Sequence, residues 1–244
     1  VGVVDIKTSK TVWANVPDNS RNMYIPRMNW SGNSEQILVQ HVNRKQDTNH
    51  LYLANASDGN VTKIMTEEEE HFLDFYDDAR WLESGESFIW TSERSGWRHL
   101  YRISRDGKTI INLTKGDFDV ISIQALNEES GWVYFTASPK NVAQRYLFRS
   151  KLDASVVNEQ ITPEEFAGSN SYQISDNGQW AIHTHSTFEQ PAQKRLIKVE
   201  GHQQQHLMMD NNKLISQLGT LNRPSTEFFQ VTARDGLVLD GYLM

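Results

Sequence analysis

Residues 91–119 read TSERSGWRHLYRISRDGKTIINLTKGDFD, and this stretch decides the fold. Phe88, Trp90 and Ser92 lead into it with the alternation of a half-buried strand. Ser95-Gly96 marks a turn, and His99 to Ile103 forms a second strand. Asp106-Gly107 is a hairpin turn, because Asp and Gly tolerate the positive φ of a tight loop. Thr109 to Leu113 follows as a third strand, and no helical period appears.

The same unit recurs along the chain. Leu51-Tyr52-Leu53, Leu100-Tyr101-Arg102, Leu147-Phe148-Arg149 and Leu196-Ile197-Lys198 start 49, 47 and 49 residues apart. The turns Asp58-Gly59, Asp106-Gly107, Asp153-Ala154 and Glu200-Gly201 keep the same register. Thr66, Thr114 and Thr162 close three units at intervals of 48. Several short strands per period of this length are the signature of β-propeller blades. The predicted fold class is therefore all-β: a partial propeller of about four four-stranded blades. Blades are expected at about 24–66, 75–114, 120–163 and 172–210, within a propeller region 1–212.

The ends fall outside the period. Val1 to Trp13 reads as two strands about a turn near Thr8-Ser9, like the tail of a preceding blade. Residues 213–226 read as a linker, with Lys213 to Leu221 either a short helix or an irregular crossing. Glu227 to Met244 is a β-hairpin turning at Arg234-Asp235-Gly236, expected to begin another domain. The chain begins with Val1 inside an apparent strand, so it is expected to be part of a longer polypeptide.

Composition narrows function mainly by exclusion. A net charge of -7 offers no basic face for nucleic acid. Cysteine is absent, which rules out disulfides and thiolate metal ligands. No apolar run approaches the length needed to span a bilayer. No Gly-x-Ser-x-Gly elbow and no phosphate-binding glycine loop occur, so no nucleophile is expected here and no cofactor is expected.

Four groups have chemistry to weigh. Glu67 to Glu70 could grip an amine or a cation, but charge runs are usually solvated, and an inter-blade loop is expected. His183-Thr184-His185 places two imidazoles on one strand face, a spacing metals can use. No third ligand is evident, so two half-exposed strand positions and no metal are expected. Arg98 is expected to pair with a carboxylate between blades, and Trp97 to pack between sheets.

A family resemblance rests on particular residues. Ser92 to Tyr101 (SERSGWRHLY), Leu113-Thr114-Lys115-Gly116 and Asp119-Val120 closely resemble the propeller of the dipeptidyl peptidase IV family of serine peptidases. Trp132 to Phe135, Arg145 to Leu147, and His185-Ser186 with Pro191 continue the likeness; Phe118 stands where that family often has Trp. Glu227 to Met244 resembles the first strands of its α/β-hydrolase domain. The resemblance implies an enzyme that releases N-terminal dipeptides, often after Pro or Ala, in the periplasm or secreted. The propeller then gates access, a Ser-Asp-His triad lies beyond Met244, and this chain alone is inactive.

The implied partners are a peptide substrate, the missing blades and hydrolase domain of the same polypeptide, and a second copy in a homodimer. The family's amine-binding glutamates follow an aromatic residue in an earlier blade, so Glu67 to Glu70 do not inherit that role. Phe75 and Tyr76 line up with a position that walls the substrate cleft, and are the expected substrate-binding residues. A binding propeller without catalysis, or a related oligopeptidase or acylaminoacyl peptidase, is the alternative.

Overall fold

The computed structural model describes residues 1–17, 21–74 and 79–244. The chain divides into two compact units. The first comprises Val1–Ile121, Glu128–Val133 and Ser150–Asn158; the second comprises Ser122–Asn127, Tyr134–Arg149 and Glu159–Met244.

The strands run up and down in antiparallel meanders, the build of propeller blades. A hairpin of β1 (Gly2–Val4) and β2 (Thr11–Trp13) comes first. The first large sheet follows with β3 (Met23–Tyr24), β4 (Met28–Trp30), β5 (Gln36–Asn43), β6 (Thr48–Asn55) and β7 (Val61–Glu68). Both β3 and β4 pair with β5, one after the other. Pro26 lies between them and has no N–H for a ladder, so the inner strand breaks there. The Arg27 carbonyl still accepts the Gln40 N–H at 3.1 Å.

The second sheet holds β8 (Arg80–Trp81), β9 (Ser87–Ser92), β10 (His99–Ser104) and β11 (Ile110–Asn112). The third holds β12 (Val120–Asn127), β13 (Trp132–Ala137), β14 (Tyr146–Lys151) and β15 (Glu159–Gln160). The fourth holds β16 (Ser169–Ile174), β17 (Trp180–Ser186), β18 (Gln193–Lys198) and β19 (Gln203–Met209). Helix α1 (Asn212–Gly219) occupies the stretch read as helix or crossing. A hairpin of β20 (Glu227–Thr232) and β21 (Val238–Leu243) ends the chain.

Inside the first unit the period-two pleat supplies both faces of the first sheet. Leu38, Leu51 and Leu53 point one way and join Phe88, Trp90, Tyr101 and Ile103 of the second sheet in one buried cluster. Ile37, Val39, Tyr52 and Ala54 point the other way and pack with Val1, Val3 and Val16. A blade is thus apolar on both faces, which is why its central strands read as nearly unbroken hydrophobic runs. Arg105 ties the two sheets at their rim. Its guanidinium donates to the Ser31 carbonyl at 2.9 Å, the Ser31 hydroxyl at 2.9 Å and the Gly85 carbonyl at 2.7 Å, and lies 4.8 Å over the Trp81 ring.

The spacing of 48 between Thr66, Thr114 and Thr162 has a physical cause. The Thr114 hydroxyl oxygen accepts the Leu100 N–H at 3.0 Å, and Thr162 accepts the Leu147 N–H at 2.7 Å. Thr66 and Thr114 each sit 2.9 Å from Nδ1 of the histidine preceding the strand leucine, His50 and His99. In each unit the threonine stitches the end of the outer strand to the third strand.

Candidate functional site

The hairpin between β9 and β10 carries the SERSGWRH motif, and most of its polar groups are committed to holding sheets. Arg94 extends from the turn back to β7 and pairs with Glu67 at 2.9 Å. Its Nε donates to the Ser92 hydroxyl at 3.0 Å, and the guanidinium stacks 5.0 Å over the Tyr101 ring. Glu67 and Glu68 therefore belong to strand β7 rather than to a loop, and Glu67 is a structural partner. Glu69 and Glu70 are exposed.

Arg98 reaches backbone carbonyls across the turn. Its guanidinium donates to the carbonyls of Val120 at 2.6 Å and Ile121 at 3.3 Å, while the Asp119 carboxylate accepts the Arg98 backbone N–H at 2.8 Å. Trp97 is 41% exposed instead of packed between sheets, because the turn lifts it off the pleat. His99 is buried. Nε2 faces the Gly116 carbonyl at 3.0 Å and so must carry the proton, leaving Nδ1 to accept from Thr114. Burial lowers its pKa, and the Gly116 contact and the Asp119 charge oppose that only in part. A neutral imidazole with both nitrogens engaged joins sheet elements; it is not a free base.

His183 and His185 share one face of β17, as the spacing implied, but they are buried at 0% and 7% exposure rather than half-exposed. Phe166 covers them, its ring 5.1 Å from His183 and 5.4 Å from His185. His202 approaches to 4.7 Å from His183, a neighbour that spacing alone could not supply. Its Nε2 meets the Tyr172 hydroxyl at 3.0 Å, while His183 Nε2 meets the Asn170 side-chain oxygen at 2.7 Å. No group of three His, Asp or Glu side chains among the described residues is arranged to hold a metal.

The second unit also contains a cleft of about 530 Å³. Gln144, Gly168 and Ser186 form part of its lining, together with Phe188, Glu189 and Phe228. Phe188 meets Phe228 edge-on at 5.1 Å and Tyr242 at 5.5 Å. The Glu189 carboxylate accepts the Thr226 N–H at 3.2 Å. Aromatic walls with one carboxylate suit a ligand that is apolar and cationic. Sequence reading passed over this cleft, because its walls come from loops far apart in the chain.

Comparison with known proteins agrees with this architecture. The family model described as the dipeptidyl peptidase IV (DPP IV) N-terminal region matches residues 1–192. The chain belongs to this family. Among curated relatives, dipeptidyl peptidase 4 of Trichophyton equinum is 24% identical over 155 residues, covering 64% of this chain and 20% of the relative. Dipeptidyl peptidase 4 of Arthroderma otae is 26% identical over 151 residues, covering 62% and 19%.

The crystal structure of Porphyromonas gingivalis dipeptidyl peptidase 4 superposes with a TM-score of 0.88 at 19% identity, covering 99% of this chain and 34% of that one. A Bacteroides ovatus structure gives 0.82 at 21% identity, covering 98% and 36%. The fold is that of a DPP IV-type propeller region. The chain spans about a fifth of the curated DPP IV relatives and about a third of the solved ones. Phe75 and Tyr76, the expected cleft-wall residues, lie outside the described residues. Among the described residues no helix is long and apolar enough to cross a membrane.

Proposed function

We propose that this chain is the substrate-gating propeller region of a DPP IV-like serine exopeptidase that releases N-terminal dipeptides, often after Pro or Ala. The observation that carries this is the family match over residues 1–192, joined to a DPP IV-type fold along 99% of the chain. On this reading the nucleophile and its triad belong to polypeptide outside this stretch, a reading supported by the lack of a Gly-x-Ser-x-Gly elbow in the 244 residues. The part played here is steric and electrostatic. The blades limit which peptides reach the nucleophile, Phe75 and Tyr76 wall the cleft, and the β20–β21 hairpin enters the peptidase domain. Periplasmic or secreted location and a homodimer follow from the same family reading.

The test is release of chromophore from a glycyl-prolyl substrate by the full-length protein, with and without a serine-directed inhibitor. Inhibitor-sensitive release supports the proposal. No release from folded full-length protein would shift the function to a binding propeller or to a peptidase of another specificity.

A further inference from the structure

The fourth sheet buries an unusual set of groups on one face. Strand register places Tyr172, His183 and Arg195 side by side across β16, β17 and β18, and Asn170, His185 and Gln193 in the next row. His202 packs in from the turn before β19, and Phe166 from the turn Glu164–Phe166. Tyr172, His183, His185, Arg195 and His202 are each at most 9% exposed.

The hydrogen bonds place one proton on His183 and leave its second ring nitrogen without an acceptor. The Asn170 amide nitrogen donates to the carbonyls of Arg145 and Phe166, so its oxygen faces His183 and His183 Nε2 carries the proton. His183 Nδ1 is then an unprotonated nitrogen without a hydrogen-bond partner. Thr162, already accepting the Leu147 N–H, lies 2.7 Å from the Tyr172 hydroxyl, which lies 3.0 Å from His202 Nε2. Thr162, Tyr172 and His202 thus form one hydrogen-bonded chain. His185 Nε2 donates to the Ala167 carbonyl at 3.0 Å.

Charge in the pocket is one-sided. The Arg195 guanidinium sits 4.9 Å over the Phe166 ring, donates to Gln193, and leaves Nη1 unpaired. From the turn, the Glu165 carboxylate acts on His202. Leu207 is the residue of β19 opposite Arg195. A positive charge on His183 would face the Arg195 charge and find no acceptor for an Nδ1 proton.

We propose that this histidine cluster is an acid-sensitive lock: neutral imidazoles hold the fourth sheet closed, and their protonation opens it. The cleft wall opens with it, since Ser186, Phe188 and Glu189 continue directly from His185. Burial pushes the His183 pKa down to about 3 and the His202 pKa down to about 4 from 6.5, with neighbouring positive charge adding to the effect at His183. Folded values below the unfolded one mean the open state binds more protons. The sheet is fully stable above pH 6.5 and loses stability as the pH falls toward 4 and then 3. At pH 5 each imidazole favours opening by roughly thirtyfold, and the two together by roughly a thousandfold.

Hydrogen exchange on the full-length protein at pH 7.5 and pH 5, corrected for the chemical exchange rate, reads the opening directly. Peptides from β16, β17 and β18 are expected to gain at least tenfold in opening, while β12 and β13, whose sheet contains no histidine, change by less than threefold. In His183→Gln and His202→Gln proteins the acid effect shrinks to roughly that of one imidazole. Should either variant fail to fold, wild-type histidine NMR titration decides, with two buried imidazoles expected still neutral at pH 5. Equal acid response in all sheets, or buried imidazoles titrating near 6.5, would overturn the proposal.

Discussion

Gly107, in the β10–β11 turn, tests how closely the first two sheets pack. Its φ is +74°, and a Cβ built there would lie 2.7 Å from the Ile64 carbonyl carbon and closer still to its oxygen. Both obstacles are backbone, so no side-chain rotation relieves them. Gly96 has φ +90° with nothing within 4 Å, so it shares the conformational strain without the crowding. Gly96→Ala should cost about 1 kcal/mol, the left-handed penalty alone. Gly107→Ala adds overpacking of about 1–3 kcal/mol, because β7 or the turn must retreat by more than an ångström. Native-state hydrogen exchange at β7 and β10 amides in the full-length protein measures both changes locally. The expected difference between variants is about 1–3 kcal/mol, or about five- to 160-fold in opening. A difference under about 0.5 kcal/mol would refute close backbone contact between the sheets.

Other substitutions probe the remaining joints. Thr114→Val leaves the Leu100 N–H buried and unpaired and should cost about 1–3 kcal/mol, whereas Thr114→Ser keeps the acceptor and should cost less than 1 kcal/mol; thermal unfolding compares them. Arg105→Lys should destabilise almost as much as Arg105→Ala, since an ammonium cannot serve the Ser31 and Gly85 carbonyls together; a lysine protein matching wild type in denaturant midpoint would count against the fork. Glu159→Gln should loosen β14 and β15, because Arg149 pairs with Glu159 and Glu200, each at 2.8 Å, and the Glu200 side chain is 81% exposed. Faster exchange confined to those strands is the expected readout. If Phe75 and Tyr76 wall the cleft, alanine at either raises KM for dipeptidyl substrates several-fold with a smaller change in kcat; unchanged KM removes them from the site.

Much of the architecture was legible because blade packing repeats. Each outer strand must be tied back to its sheet, and Thr66, Thr114 and Thr162 recur at one spacing because each does so. Turns such as Asp106-Gly107 were legible because φ above zero narrows the choice of residue. Other features depend on neighbours distant in sequence. Alternation told that His183 and His185 share a face, but Phe166 and His202 bury them, and neither lies on that strand. Glu67 looked like a member of a solvated run because its partner, Arg94, comes from the next sheet's hairpin. Trp97 looked like a packing residue by type, yet its turn projects it outward. The cleft beside Phe188 is built from four loops whose convergence no local pattern encodes.

Mass analysis of products from a peptide with proline at its second position, incubated with the full-length protein, bears most directly on function. Release of the N-terminal dipeptide from the free-amine peptide, and none from its N-acetylated form, is the expected result. Cleavage of both forms alike, or of neither by folded protein, would contradict a DPP IV-type gate.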